Sequence, residues 1–375
     1  MSASDRNSAA WLVRGLCQGG RESGSPEAAD ARGRIAAFLL RNGWSVEEQP
    51  FRYHPAAPMA LPLLGAGLGW LGLLLIPLLT LPAIPVWTAL AVWVVGLGGV
   101  IAMSAAAAFG WSSFGREPRQ DSNLIARPAA GLRPRIWVSA HYDTKAQGHS
   151  MAGRLVAVWV LALGLVGQLA LVVWRFRETP PLAAVAATAA LAVAAGFLSG
   201  RGRLRGRSPG ARDNGSGLLA ALEAAEAARE AGVGLLVTGA EEFGLVGARV
   251  LAQEQPDLVR GSIVVNFDTV DDRGRYRVVT HDATGRALAR EAVASMAGEL
   301  LPRIHRLPAG ILVDSVAFAR AGAGSITFAR LDWETFRRIH TPRDTLDGLT
   351  FESAIGLGRW VGGWLAGRGE DPAAI

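Results

Sequence analysis

The sequence predicts an α/β fold in which helices sandwich a mixed, largely parallel sheet, together with about four transmembrane helices. Short apolar strands alternate with helical segments, which is the pattern of a sheet covered by helices. These strands lack a polar face, as strands buried on both sides do. Long runs without a charged residue interrupt the alternation, and they explain why 50% of the residues are hydrophobic.

The elements follow from apolar spacing and from turn residues along the chain. Helical spacing of Ala, Leu and Ile predicts two helices at the start, and Asn42-Gly43 ends the second of them. Short apolar runs between turns predict strands. We expect helices near 8–17, 27–41, 217–231, 245–255, 286–300 and 351–366, and strands near 44–53, 123–127, 135–140, 233–238, 262–267, 276–280 and 325–328.

Four apolar runs are long enough to cross a bilayer, because about 20 apolar residues span it as a helix. No charged residue lies between Arg52 and Arg116, and two further uncharged runs follow. Buried core helices are the alternative, but four such runs favour membrane spans. We expect spans near 60–80, 85–109, 154–174 and 181–199. They divide the chain into a soluble domain in three parts, 1–55, 111–152 and 201–375, and two transmembrane hairpins, 56–110 and 153–200.

The basic residues predict the side of the membrane on which the soluble domain lies. Each hairpin returns the chain to the side that it left, so all three soluble parts share one side. That side carries the run from Arg201 to Arg207, whereas the opposite turns carry only Arg175 and Arg177. Because an excess of Lys and Arg marks the cytoplasmic side, we expect a multi-pass inner or plasma membrane protein with a cytoplasmic soluble domain. Directly after a span, the basic run favours contact with lipid headgroups over nucleic acid. The single cysteine, Cys17, fits a reducing compartment.

Residues of metal-ligand type lie where predicted strands end. Ligands bind beyond the carboxyl ends of strands in open α/β sheets, and zinc prefers imidazole nitrogen and carboxylate oxygen. Each residue taken alone is commonly a cap, a turn or a solvated side chain, but together they predict a metal site. The candidate metal ligands are His141, Asp213, Glu242, Asp268 and His340.

The number of these residues predicts two ions rather than one. A catalytic zinc ion usually keeps three protein ligands, so five ligands suit two ions that share a carboxylate. Asp213, in the turn Asp-Asn-Gly-Ser-Gly, is expected at the centre. Glu241 is then left over as the catalytic base, which takes a proton from the attacking water and passes it to the leaving amine. Asp143 lies two residues from His141, where it can accept the far N–H of that imidazole and support catalysis.

The sequence resembles the cocatalytic zinc exopeptidases, which include bacterial secreted aminopeptidases and glutamate carboxypeptidases. The resemblance covers the soluble parts and neither hairpin. It rests on the ordered strings Ser139-Ala-His-Tyr-Asp-Thr144, Gly210-Ala-Arg-Asp-Asn-Gly-Ser-Gly217, Thr238-Gly-Ala-Glu-Glu-Phe-Gly-Leu-Val-Gly247, Val265-Asn-Phe-Asp268 and His340-Thr-Pro-Arg-Asp-Thr345.

This resemblance implies the zinc-exopeptidase fold, which is phosphorylase/hydrolase-like, and a role for each ligand. His141 and Asp268 would hold one zinc ion, and Glu242 and His340 would hold the other. Asp213 would bridge both ions, with a cis peptide bond after it, and Glu241 would be the general base and acid.

Two residues depart from the family pattern. Arg212 stands where an acidic residue often precedes the bridging aspartate, so we expect a more positive edge of the site. Ile339 stands before His340, where many members have a tyrosine that is thought to stabilise the oxyanion. No motif identifies substrate-binding residues. Between roughly 310 and 338, Asp314 and Arg330 are candidates for a substrate terminus, although ordinary structural roles are preferred.

The sequence therefore predicts a membrane-anchored dizinc metallopeptidase. We expect an aminopeptidase-like exopeptidase that hydrolyses a peptide or aminoacyl-amide substrate, with Co²⁺ or Mn²⁺ as alternative metals. Two other functions remain open. A glutaminyl-cyclase-like acyl transferase would work with one zinc ion, and a non-catalytic membrane scaffold of the same fold would need none.

Overall fold

The computed structural model describes residues 8–129, 132–296, 301–307 and 311–369. Its strands are β1 (Ser45–Tyr53), β2 (Arg119–Arg127), β3 (Ile136–His141), β4 (Gly234–Thr238), β5 (Ile263–Val270), β6 (Arg275–Thr280), β7 (Arg303–Arg306) and β8 (Gly324–Leu331). Its helices are α1 (Ala9–Leu16), α2 (Pro26–Arg41), α3 (Ala60–Thr80), α4 (Val86–Ala108), α5 (Met151–Arg175), α6 (Leu182–Gly200), α7 (Gly217–Ala227), α8 (Val246–Glu254), α9 (Pro256–Val259), α10 (Ala283–Ser295), α11 (Ser315–Arg320), α12 (Trp333–Arg338) and α13 (Glu352–Gly369).

The chain forms two compact units. The first unit comprises residues 1–53, 119–146 and 206–375, and the second comprises 54–118 and 147–205. All eight strands belong to the first unit, and helices α3 to α6 belong to the second. The chain therefore leaves and re-enters the first unit twice.

The first unit is built on one eight-stranded sheet with the order β1-β2-β4-β3-β5-β8-β6-β7. The central strands β4, β3, β5 and β8 run parallel to one another. Strands β1 and β2 form an antiparallel pair, and β2 and β6 join the parallel strands in antiparallel orientation. This confirms the mixed, largely parallel sheet that the sequence predicts.

Helices bury both faces of the sheet, which agrees with the mostly apolar composition of its central strands. On one face, Val138, Leu235 and Val265 pack in a core with residues of α1, α2, α7, α10 and α13. On the other face, Trp137 and Val264 pack with residues of α8 and α11.

Local sequence explains where α2 begins and ends. The hydroxyl of Ser25 accepts a hydrogen bond from the backbone N–H of Ala28, and Pro26 occupies the first helical position. Both features are favourable at a helix N-terminus. At the other end, Gly43 has φ +79°, a left-handed conformation that glycine adopts without strain. The predicted ending at Asn42-Gly43 is confirmed.

The second unit consists of four apolar helices, each long enough to cross a membrane: Ala57–Thr80, Val86–Ala108, Met151–Arg175 and Leu182–Gly200. Helices α3 and α6 approach closely through small residues. A Cβ on Gly196 would lie 2.8 Å from the carbonyl oxygen of Gly65. Close contact of this kind is common between helices in membranes. Gln168 of α5 donates a hydrogen bond to the carbonyl of Leu68, so this polar side chain is used inside the unit.

The structure adds four elements that the sequence did not predict: the edge strand β7 and the short helices α9, α11 and α12. The predicted helix near 286–300 begins earlier and is described as Ala283–Ser295, while 297–300 lie outside the described residues. The predicted strand near 325–328 extends over Gly324–Leu331.

Candidate metal centre

Three parallel strands bring acidic and imidazole side chains to one edge of the sheet. His141 is the last residue of β3, and Glu241 and Glu242 lie in a single turn just after β4. Asp268 lies within β5 rather than after it, at an irregularity in pairing between Phe267 and Val270. The carboxyl ends of parallel strands meet at one edge, so these side chains converge.

Two loops complete the centre. Asp213 lies in the turn before α7, and its peptide bond to Asn214 is cis, as the resemblance implied. The Asn214 side chain donates to the carbonyl of Phe267 and accepts from the N–H of Thr269, so the turn is attached to the irregular end of β5. His340 follows α12.

Several backbones around the centre adopt a left-handed conformation that residues other than glycine rarely take. The φ angles are +53° at Ala240, +56° at Thr269 and +62° at His340. Such strain persists only where surrounding contacts fix it, and it is frequent at functional sites. Each of these residues is a candidate ligand or is adjacent to a candidate ligand or base.

Asp213 faces both histidines. One carboxylate oxygen lies 3.4 Å from Nε2 of His141, and the other lies 3.1 Å from Nε2 of His340. Nε2 of His340 is also 3.4 Å from Oε2 of Glu242. The side chains therefore form two adjoining groups of potential metal ligands, one of His141, Glu241 and Asp268, and one of Asp213, Glu242 and His340.

These groups fit zinc. Ligands of one tetrahedral zinc ion stand about 3.3 Å apart, given metal–ligand distances of about 2.0–2.1 Å, and the measured separations of 3.1–3.4 Å agree. Nε2 of His141 and Oε1 of Glu242 are buried and accept or donate no hydrogen bond within the described part of the chain. Buried polar atoms normally have a partner, so both atoms are suited to a metal ion.

Asp143 holds the turn that carries the glutamates. Its two carboxylate oxygens accept hydrogen bonds from the backbone N–H groups of Glu241, at 3.1 Å, and Glu242, at 3.3 Å. Nδ1 of His141 lies 3.1 Å from the backbone carbonyl oxygen of Asp143 and 3.5 Å from its carboxylate. Asp143 thus orients His141 mainly through its main chain and the two glutamates through its side chain.

Burial and neighbouring charges raise the pKa values of the two acids in the His141 group, Glu241 and Asp268. Burial raises the pKa of Glu241 well above its usual range; His141 opposes this shift, and the charge of Glu242 adds to it. Burial, followed by the charge of Asp213, raises the pKa of Asp268 to about 7. A carboxyl group with a raised pKa is better matched to proton transfer near neutral pH.

The pKa values of the two acids in the His340 group, Asp213 and Glu242, are lowered instead. Burial alone would raise the pKa of Asp213, but contacts with His141 and His340 outweigh burial and hold it well below its usual range. For Glu242, burial is outweighed by His340 and Lys145, which lower the pKa to about 2. A lowered pKa favours the ionised form of a carboxyl group, which is the form that binds a cation.

Lys145 is part of the centre, and sequence reasoning missed it. Its ammonium group donates a 2.5 Å hydrogen bond to Oε2 of Glu242, and the residue is only 6% exposed. Lys145 follows His141 by four residues and is the only lysine in the chain. That it is the only lysine was the one feature of the sequence that could have drawn attention to it.

Arg212 does not make the edge of the site more positive, so that expectation was wrong. The side chain is 2% exposed because its guanidinium points away from solvent and pairs with Asp271 at 3.0 Å. It also donates to the carbonyl groups of Thr345 and Asp347. Arg212 is thus a buried anchor for the loop after His340.

The two substrate-terminus candidates have different surroundings. Arg330 contacts the hydroxyl of Ser353 and the ring of Tyr276, so it has a structural role. Asp314 is buried beside the centre and accepts from the hydroxyl of Thr238. Burial raises the pKa of Asp314 to about 6.

The structure brings all seven sequence-predicted site residues to one place: His141, Asp143, Asp213, Glu241, Glu242, Asp268 and His340. A buried centre of imidazole and carboxylate groups at the carboxyl edge of the sheet is what the resemblance to zinc exopeptidases implies. Comparison with known proteins agrees with this class and confirms the resemblance.

The model of peptidase family M28 matches residues 187–361, slightly less than half of the chain. The matched range contains Asp213, Glu241, Glu242, Asp268 and His340, whereas His141 and Asp143 precede it. No curated protein sequence matches this chain.

Solved structures share the fold at low sequence identity. An aminopeptidase from Aneurinibacillus sp. strain AM-1 aligns with a TM-score of 0.54 and 16% identity, covering 96% of this chain and 94% of that one. A Zn-dependent exopeptidase from Parabacteroides distasonis gives 0.57 and 14%, covering 96% and 98%. A glutaminyl cyclase from Bacteroides thetaiotaomicron gives 0.56 and 14%, covering 96% and 97%. The fold is therefore shared by zinc peptidases and by cyclases.

Proposed function

We propose that this protein is a membrane-anchored, zinc-dependent aminopeptidase that cleaves an N-terminal peptide or amide bond by a two-metal mechanism. One observation carries the proposal: Asp213 turns one carboxylate oxygen toward each of two histidines, so that two ligand groups adjoin. His141 and Asp268 would hold one ion, Glu242 and His340 the other, with Asp213 between them. Bound zinc would polarise the scissile carbonyl and acidify the attacking water.

Glu241 performs the proton transfers in this proposal. Its carboxylate takes a proton from the attacking water and later delivers it to the nitrogen of the leaving amine. The raised pKa of Glu241, which results first from burial, suits this exchange. Asp143 keeps Glu241 in place by accepting the hydrogen bond of its backbone N–H.

The substitution Glu241→Gln tests the reaction. The purified protein with zinc or cobalt is expected to hydrolyse aminoacyl amides and members of a peptide library. Glu241→Gln keeps the shape but removes the base, so turnover should fall by at least about 10²-fold while metal content stays unchanged. The matched control is Glu230→Gln, at an exposed position. A wild-type protein that binds metal but cleaves no amide or peptide contradicts the proposal.

We also propose that the second unit anchors the enzyme in a bilayer. Its four helices are long and apolar enough to cross a membrane, and their exposed side chains include Trp70, Val95, Trp159 and Phe197. The division of the chain into two units supports a catalytic domain formed by 1–55, 111–152 and 201–375, with hairpins at 56–110 and 153–200. The basic run from Arg201 to Arg207 favours a cytoplasmic catalytic domain.

A glutaminyl-cyclase-like acyl transferase is the second candidate, and the cyclases that share the fold favour it. Metal counting separates the two functions. Two zinc ions per chain with release of free N-terminal residues support the peptidase. One zinc ion per chain, together with cyclisation of N-terminal glutamine peptides, supports the cyclase.

A further inference from the structure

The metal centre contains one buried ammonium group, that of Lys145. The chain has 38 basic residues, and Lys145 is the only lysine among them. The other side chains of this centre are carboxylates and two imidazoles. The carboxylates in or beside this centre are those of Asp143, Asp213, Glu241, Glu242, Asp268 and Asp314.

The backbone before Lys145 is firmly held, so the position of its side chain is built into the fold. The hydroxyl of Thr144 accepts from the backbone N–H of Arg21 and donates to the carbonyl of Ser208. The N–H of Thr144 donates in turn to the carbonyl of Arg21. These bonds fix the segment after β3 between two other parts of the first unit.

The ammonium has more donors than its surroundings use. It can donate three hydrogen bonds. Within the described residues it makes one, to Oε2 of Glu242. An unused donor on a buried charge is costly, so the remaining donors of Lys145 call for an acceptor from a ligand or water.

A role as counter-ion alone does not account for the choice of lysine. Arginine pairs with a carboxylate through two parallel hydrogen bonds. Apart from Lys145, all Lys and Arg positions in this chain are arginine. Lysine differs in having a compact charge whose three donors point in different directions. Such a group can bind Glu242 and a second acceptor at the same time.

We propose that Lys145 stabilises the oxyanion that forms when the substrate carbonyl is attacked; this inference rests on the proposed amide hydrolysis. Oε2 of Glu242, which Lys145 contacts, lies 3.4 Å from Nε2 of His340, so the ammonium adjoins the His340 ligand group. Ile339, the residue before His340, is buried and offers no side-chain donor. A fixed cation beside the developing negative charge is the arrangement that lowers the barrier of such reactions.

Lys145 donates hydrogen bonds throughout the reaction and transfers no proton. The water oxygen forms a bond to the carbonyl carbon, its proton passes to Glu241, and the carbonyl π electrons move to the oxygen. This oxyanion receives a hydrogen bond from Lys145. When the carbonyl re-forms, the carbon–nitrogen bond breaks, and the nitrogen takes the proton from Glu241.

The test compares Lys145→Met with the wild-type protein in detergent. Three quantities are measured: zinc content, steady-state kinetics on the best amide substrate, and affinity for a panel of phosphinic pseudodipeptides, which imitate the tetrahedral oxyanion. We expect unchanged zinc content, KM within about threefold, and kcat lower by about 10²–10³-fold. Affinity for the best phosphinic compound should fall by a similar factor. Arg359→Met, at an exposed arginine on α13, is the control and should match the wild type.

Other results overturn the inference. Loss of zinc from Lys145→Met, or equal losses of substrate and phosphinate affinity, would assign Lys145 to ligand positioning alone. Lys145→Gln gives a second uncharged variant if the methionine protein does not fold. If the wild type cleaves no amide but binds a phosphinic compound, the peptidase proposal fails. The ratio of the phosphinic-compound affinities of the wild type and Lys145→Met then still decides the role of Lys145. A wild type that binds no phosphinic compound contradicts both.

Discussion

Asp213 owes its position to backbone hydrogen bonds rather than to the metal ligands themselves. The carboxylate of Asp344 accepts from the N–H groups of both Arg212 and Asp213, at 2.9 and 3.0 Å. Asp344 lies four residues after His340, so one side chain connects the loop of this proposed ligand to Asp213. The centre is therefore pre-organised by its surroundings, as catalytic sites require.

Replacing Asp213 tests whether its carboxylate is shared by two ions. In Asp213→Ala both histidines lose a common partner, so we expect fewer than two zinc ions per chain by elemental analysis. Membrane association should not change, because the substitution leaves the apolar helices intact. Asp257→Ala, at an exposed position, serves as the control. Two zinc ions retained in Asp213→Ala would show that the carboxylate does not bridge them.

Site residues could be predicted from the sequence where a residue of metal-ligand type lies at the end of a predicted strand. The candidate ligands are acids and histidines at strand ends, and such a pattern is visible without a structure. The contacts of Lys145, Arg212 and Asp344 are different, because their partners lie far away in sequence. Only the folded chain shows that an arginine beside the site points inward to Asp271 rather than toward the site edge.

At the scale of elements, the closing helix α13 depends on a distant residue for its N-terminal cap. The carboxylate of Asp272 accepts from the backbone N–H groups of Thr350, Phe351 and Ser353 and from the hydroxyl of Thr350. The first N–H groups of a helix have no partner within the helix, so a carboxylate there is stabilising. Buried residues of α13 pack against the sheet, and Asp272 thereby secures part of the core.

Asp272→Asn is expected to destabilise the first unit by about 0.5–2 kcal/mol at neutral pH. Burial opposes ionisation of Asp272, but its hydrogen bonds outweigh burial and hold its pKa below 3.8. The stabilisation is therefore present above about pH 4 and is lost as the pH falls through the folded-state pKa. Thermal unfolding of both proteins in detergent between pH 3 and 7 checks this. A difference in midpoint that grows toward acidic pH contradicts the assignment.

Long apolar or periodic segments were predictable as elements, whereas short ones were not. Strands such as β3 and β4 could be predicted because each is a short, mostly apolar run between turns. Strand β7 has four residues, three of them basic or histidine, and it forms because its backbone pairs with β6. Helices α11 and α12 have six residues each, too few for a periodic pattern to stand out.

At the scale of the whole molecule, the sheet limits how the proposed membrane anchor can be arranged. Strands β1 and β2 pair along their full length although 54–118 lie between them in sequence. Strands β3 and β4 also pair with each other, although 147–205 lie between them in sequence. A bilayer cannot divide one continuous sheet, so if the apolar helices span a membrane as proposed, each insertion must return to the side from which it started.

The far turns of the two insertions must then lie together on the opposite side. Within the second unit, the guanidinium of Arg175 lies within 3.5 Å of the carbonyl oxygens of Leu81 and Ile84, which belong to the turn of the first insertion. The turn of the second insertion follows Arg175 directly. This contact between the two turns agrees with an even number of crossings.

The resulting orientation can be measured with single cysteines. Cys17 is buried and is the only cysteine, so a Cys17→Ser protein provides a background without thiols. Thr179→Cys places a thiol on the far turn and Arg290→Cys places one on α10, both at exposed positions. Because the basic residues cluster beside the sheet-bearing segments, a membrane-impermeant maleimide should label Thr179→Cys in intact cells. Arg290→Cys should react only after the membrane is opened. The reverse labelling pattern would place the metal centre outside the cytoplasm, and labelling of both in intact cells would show that the apolar helices do not cross the membrane.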